Sequence, residues 1–176
     1  MTRAELMQSA LIALSAQNRV GLGGRLLPGF GDLTRWSQSH SGVFTVSYLD
    51  GVNTVAARVE GGKWEKLIFP LEGLAPPGSV AVFTFRLSAD AYALNNLTKD
   101  GGFLTRSIPS SGAITDYLSR TEPFTGAATE DRLFACACVV PSGSLFAAIT
   151  FWDVKDGTDV VVSIRDVRLR YYLIES

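Results

Sequence analysis

The chain has 176 residues, 19% charged and 47% hydrophobic, with a formal net charge of −1. That is the size of one domain plus a short appendage, long enough to bury a core without disulfides or metals. The balanced charge gives no electrostatic footprint for nucleic acid, and no run approaches the ~18 apolar residues of a membrane span.

Residues 2–17 have helical spacing. Thr2 and Glu5 stand as a capping box, each able to satisfy an orphan backbone N–H. Met7, Leu11, Leu14 and Asn18 step by four, three and four, and Leu6, Ala10, Ala13 and Gln17 run beside them, a coiled-coil-like seam. Arg3 is the one basic residue before Glu5, and Gln8, Ser9 and Ser15 break the apolar segment, so no secretory signal is expected. Gly21, Gly23 and Gly24 stop the helix and form a joint. The expected organisation is a helix over 1–20, a glycine hinge over 21–24 and one β domain over 25–176.

The β domain opens on "LLPGFGDLTRWSQSHSG", residues 26–42, which has neither helical nor strand periodicity yet carries Trp36. From there the period is two. Phe44, Val46 and Tyr48 form one strand, with Asp50-Gly51 as its turn. Val55, Ala57 and Val59 form a second, and Leu67, Phe69 and Leu71 a third, closed by Gly and Pro between 73 and 78. Val80–Leu87 is apolar on both faces and so reads as central. Residues 88–131 are rich in Ser, Thr, Asn, Asp and Gly, with anchors at Phe103, Leu104, Ile108, Tyr117 and Phe124. Short strands and long loops are expected there, and so large a loop region usually carries function. Leu133–Val140 and Leu145–Trp152 are two further strands, followed by an acidic loop from Asp153 to Asp159. In the last stretch Val160, Val162 and Ile164 give way to Val167, Leu169, Tyr171 and Leu173, a change of parity that predicts a β-bulge at Arg165-Asp166. Some eight short strands make a two-sheet sandwich, all-β in jelly-roll style with a short N-terminal helix. Trp36, Phe83, Phe85, Cys136, Cys138, Ile149, Ile164 and Leu169 are the expected core.

No catalytic signature stands out. His40 is the one histidine, there is no Gly-x-Ser-x-Gly elbow, and Cys136 and Cys138 fall in a central strand as buried thiols. Cys-x-Cys alone lacks two ligands for zinc. Gly21-Leu22-Gly23-Gly24 follows a helix, the wrong context for a phosphate cradle. No cofactor is expected. Calcium at Asp153, Asp156 and Asp159 is the one metal reading, against a solvated acidic hairpin tip. Trp64 opens a strand as rim packing or as a stacking platform, and Trp152 ends a strand at the mouth of the acidic loop.

The hook "LLP…G…L..W", the run "WEKLIFPLEGLAPPG" feeding a long apolar strand, and the closing "VVVSIRDVRLRYY" together resemble the galactose-binding-like jelly rolls. These include carbohydrate-binding modules attached to glycosidases and similar modules on bacteriophage tail proteins. The resemblance covers residues 25–173. It implies that the hook closes one edge of the sandwich beside the C-terminal strand, with Trp36 inside. It also implies a non-catalytic virion protein (tail, baseplate or fibre) that adheres to host-surface glycans, made in the host cytoplasm and incorporated in the particle. Trp152, Asp153, Trp64, Tyr117 and Asn53 are the residues expected to touch the sugar. The stripe Leu6, Met7, Ala10, Leu11 and Leu14 is expected to meet other copies, with a trimer favoured, to dock on another virion protein, or to pack on its own β domain. Nucleic acid and membrane are not expected partners. Two other readings stay open: a purely structural virion protein such as a head fibre, decoration or baseplate part, and an ancillary module of a carbohydrate-active system.

Overall fold

The computed structural model describes residues 9, 24–39, 42–59, 64–90, 97–106, 114–121, 129–153 and 158–173. At 59, 64, 97–99, 106, 114–116, 129–130, 152–153 and 158–159 the description is of the backbone. Eleven strands run in chain order: β1 (Arg25–Leu26), β2 (Ser37–Gln38), β3 (Phe44–Leu49), β4 (Val52–Val59), β5 (Trp64–Pro70), β6 (Val80–Ala89), β7 (Leu97–Arg106), β8 (Ile114–Arg120), β9 (Thr129–Val139), β10 (Phe146–Asp153) and β11 (Thr158–Tyr172). They form two antiparallel sheets. One has the order β3-β4-β11-β6-β9 with β1 added to β11, and the other the order β2-β5-β10-β7-β8. The all-β sandwich expected from the alternating pattern is thus present. The expected helix over 2–17 and its seam lie outside the described residues, apart from Ser9.

The hook works as a cross-brace between the sheets. Arg25 and Leu26 pair with Tyr171 and Arg170 of β11, while Ser37 and Gln38 pair with Ile68 and Leu67 of β5. Between them the chain turns through a 3₁₀ segment, Leu33–Arg35, capped by the Asp32 carboxylate on the Thr34 N–H at 3.0 Å. Phe30, Leu33 and Trp36 drop into the core from this crossing. Trp36 packs 4.9 Å from the Phe30 ring and donates its indole N–H to the Phe30 carbonyl at 3.1 Å, which satisfies its one polar atom.

The inner faces meet in one apolar core. Phe83 and Phe85 of β6, Phe103 of β7, Phe134 of β9 and Phe151 of β10 are fully or almost fully buried. Every residue named above as core is buried, Cys136 and Cys138 included. Desolvation pushes the Cys136 thiol well above its usual pKa and that of Cys138 up to about 12. Asp50 and Gly51, with φ of 50° and 83°, make the tight turn between β3 and β4. The register of β11 against β6 shifts between Arg165 and Arg168, which is the bulge the parity change predicts. Asp166 sits there at φ 51°, and Arg168 holds its carboxylate at 3.1 Å. Asp131, at φ 56°, takes Arg165 Nε at 2.6 Å and Arg86 Nη1 at 3.1 Å.

One stretch differs from expectation. Among the described residues, the stretch 88–131 contains the ten-residue β7 and the seven-residue β8, longer than the short strands expected, and 91–96, 107–113 and 122–128 lie outside the description. Ile108 and Phe124 lie outside the described residues.

Candidate carbohydrate-binding face

Antiparallel register arranges the outward face of the five-stranded sheet in rows, each crossing several strands. Core positions Ala147, Ile149 and Phe151 of β10 alternate with Phe146, Ala148 and Thr150, which face away from the core. The first row sets Pro70 opposite Phe146, Phe146 opposite Leu104, and Leu104 opposite Tyr117. The next runs Ile68, Ala148, Gly102 and Arg120. A third is polar: Lys66, Thr150 and Asp100. Position 152 continues the series, with Trp152 opposite Trp64 on β5 and Thr98 on β7. Two of the residues expected to touch sugar are therefore direct cross-strand partners, although they lie 88 positions apart in sequence.

Tyr117 ties these rows together. Its ring lies across Gly102, where a Cβ would stand 2.9 Å from the ring carbon Cε1, so only glycine admits this approach. The hydroxyl then reaches over β7 to donate to Asp100 Oδ1 at 2.7 Å and to meet Thr150 Oγ1 at 2.7 Å. A phenol has one proton, so with that proton on Asp100 the threonine donates in the second bond. Arg120 places its guanidinium 5.6 Å from the centre of the same ring.

Burial dominates the electrostatics. Desolvation raises the Asp100 pKa, and the hydrogen bonds from Tyr117 and Thr150 pull it part of the way back, as do the charges of Arg120 and Lys66. Desolvation also raises the Tyr117 phenol and lowers the Lys66 ammonium, which Glu65 and Asp100 partly restore. The outcome is a polar set in which Asp100 and Thr150 are buried, Tyr117 and Lys66 half-buried and Arg120 exposed, beside the buried apolar residues Ile68, Ala148, Leu104 and Phe146. A few placed polar groups over broad apolar contact are what a sugar ring needs, since it offers both a C–H face and hydroxyls.

Of the five expected contact residues, the structure places Trp64 and Trp152 on the adjacent strands β5 and β10, with Asp153 next in β10, and Tyr117 on β8 of the same sheet, beyond β7. Asn53 is elsewhere. It is fully buried in the other sheet, where its side-chain amide donates to the Gly31 and Ile164 carbonyls at 2.9 and 3.2 Å and accepts from the Leu33 N–H at 2.8 Å. Both amide protons and one oxygen lone pair are spent on the hook and on β11, and the side chain is fully buried, so Asn53 does not reach a ligand. Lys66, Asp100, Thr150 and Arg120 belong to the face and were not among the expected contacts. Strand parity with Trp64 and Trp152 finds Lys66 and Thr150 from sequence; Asp100 needs the register of β7.

Among the described residues no three His, Cys, Asp or Glu side chains gather as a metal site, and the middle of the acidic loop, 154–157, lies outside them. A cavity of about 110 Å³ between Leu71, Glu72, Val140 and Leu145 lies at the turns that end the sandwich, away from this face.

No family model and no curated protein matches the chain. Solved structures do. The tandem module pair CBM22-1–CBM22-2 of Paenibacillus barcinonensis Xyn10C superposes with a TM-score of 0.59 at 14% identity, over 88% of this chain and 51% of that one. The CBM22-2 xylan-binding domain of the same protein gives 0.52 at 14% identity, over 81% of this chain and 94% of that one. A structure described as a carbohydrate-binding module of the β-sandwich superfamily gives 0.53 at 11% identity, over 86% and 62%. The chain has the β-sandwich jelly-roll fold of the carbohydrate-binding modules. It spans nearly the whole of the single module and about half of the tandem pair.

Proposed function

We propose that this protein is a non-catalytic carbohydrate-binding module whose ligand, a glycan chain, lies across the outward face of the five-stranded sheet. The observation that carries this reading is the row arrangement: the Trp64/Trp152 pair beside a polar row, beside an apolar floor that Tyr117 borders. The fold shared with modules that include a xylan-binding domain supports it. This register sets one pair of carboxylates, Glu65 and Asp100, on opposite faces of the sheet. Glu65 pairs with the core-facing Phe151, while Asp100 pairs with Thr150 on the opposite face, so these two carboxylates do not flank a common substrate.

The setting is the finer question. Adhesion of a bacteriophage particle to host glycans and an ancillary role in a carbohydrate-active system use the same face and differ in the sugar. Stacking gives contact area, while each neutral hydrogen bond to a hydroxyl nets about 1 kcal/mol against water. A single site then has a Kd on the order of 10⁻³ to 10⁻⁴ M. Titration of the full chain with bacterial capsular and lipopolysaccharide glycans and with xylan tests the reading. Binding within the first group places the protein in host adhesion, and binding to xylan alone places it in a polysaccharide-degrading system. Absence of binding throughout leaves a structural role. Trp152→Ala should weaken whichever affinity is found by about tenfold, the loss of one aromatic contact.

A further inference from the structure

The outward side of the five-stranded sheet carries positive charge that the fold leaves unmatched. Among the described residues its charged side chains are Lys66, Asp100 and Arg120, and both cations act on the Asp100 carboxylate from a distance. Asp100 is 5% exposed, and its Oδ1 already accepts from the Tyr117 hydroxyl. The cations are more open, with Lys66 half-buried and Arg120 exposed. Among the described residues neither Lys66 Nζ nor the Arg120 guanidinium makes a hydrogen bond or an ion pair, and Arg120 has only the Tyr117 ring at 5.6 Å. The opposite sheet treats its cations differently: there Arg86 and Arg165 meet the Asp131 carboxylate, and Arg168 meets Asp166.

Two open cations beside a covered acid favour an anionic ligand. Burial strips part of the hydration from the Lys66 ammonium and lowers its pKa, a loss that an anion beside it offsets. The planar guanidinium of Arg120 takes a carboxylate through two parallel hydrogen bonds, a stronger contact than a neutral hydroxyl gives. Lys66 on β5 and Arg120 on β8 stand three strand intervals apart, roughly 14 Å, so acid groups on different rings of one chain can meet them. Resting on the glycan-face reading above, we propose that the ligand is an acidic polysaccharide, its uronic acid carboxylates held by Lys66 and Arg120 on either side of the Tyr117, Asp100 and Thr150 cluster.

The test titrates the full chain with an acidic capsular polysaccharide and with glucuronoxylan, each in native and in carboxyl-reduced form. Reduction turns each carboxylate into a hydroxymethyl group and keeps the sugar ring. At least one native form should bind about tenfold more tightly than its reduced form, the size of one charge-assisted contact. Raising salt from about 0.02 to about 0.5 M should erase most of that difference, an outcome that needs no substitution. Lys66→Gln and Arg120→Gln should each lower the native form's affinity by about threefold or more, whereas Arg168→Gln on the other sheet should leave it unchanged. Equal binding of native and reduced forms overturns the proposal and leaves the glycan face standing. A preference that survives Lys66→Gln and Arg120→Gln together, or that falls with Arg168→Gln, overturns it as well, because the acid groups then meet another surface. If none of the four preparations binds, the proposal falls, and the neutral members of the panel above decide the glycan reading on their own.

Discussion

Two side chains show how single residues serve the hook and the face. Asn53 fastens the hook to β4 and β11 with three hydrogen bonds. Asn53→Ala removes three hydrogen bonds, two of them buried, and the expected loss is ~3 kcal/mol in urea unfolding. A loss under ~1 kcal/mol would mean that the hook is held by its aromatic contacts alone. Asp100 makes the face sensitive to pH. Its folded pKa is raised by burial, so below 3.8 both folded and unfolded chains hold the proton. Above 3.8 the unfolded chain ionises first, and stability falls until the pH passes the raised value. Asp100→Asn abolishes this decline, and the difference between the two unfolding curves from pH 3 to 7 isolates it. Tyr117→Phe removes a bond that stabilises the carboxylate and extends the decline to higher pH. Asp131 acts in the opposite sense. Its hydrogen bond from Arg165, then the charge of Arg86, hold its pKa down, so its contribution is present above 3.8 and lost as pH falls through the lowered value. The Asp100→Asn comparison cancels it, since both proteins keep Asp131.

Among the elements, β6 holds the sandwich together. It pairs with β11 and β9, and its Phe83 and Phe85 touch Phe30, Phe103 and Phe134. Phe85→Ala should cost ~3–5 kcal/mol, the range for an emptied aromatic site. Cys136 and Cys138 report on the same layer: they should stay unlabelled in the native protein and react after denaturation, and rapid native labelling would contradict the core described here. The central strands were legible because continuous or alternating apolar runs have one physical reading. The bulge in β11 was legible too, since parity cannot change within a regular strand. β7 was not. Its "KDGGF" reads as a turn, because Asp-Gly and Gly-Gly favour hairpin loops. The two glycines are instead there for space: a Cβ on Gly101 would stand 2.5 Å from the Phe85 ring, and Gly102 lies under Tyr117. Those rings come from other strands, so nothing local to the sequence announces them. The same blindness hid Asp100 and misplaced Asn53, whose partners lie 22 and 111 positions away.

At the scale of the whole molecule the proposed reading puts the glycan on the outward face of the five-stranded sheet, with one site per chain. Multivalent adhesion then requires attachment to a larger assembly, because a tethered second site raises avidity without new contacts. Which face meets the glycan is therefore the central claim. Its most direct test is to record backbone amide NMR spectra of the full chain while titrating in the glycan that binds in the panel above. The account predicts shifts concentrated on β5, β10, β7 and β8, strongest at Lys66, Asp100, Tyr117 and the positions of Trp64 and Trp152. Shifts confined to β4, β6, β9 and β11, or to the turns around Leu71 and Leu145, would contradict it.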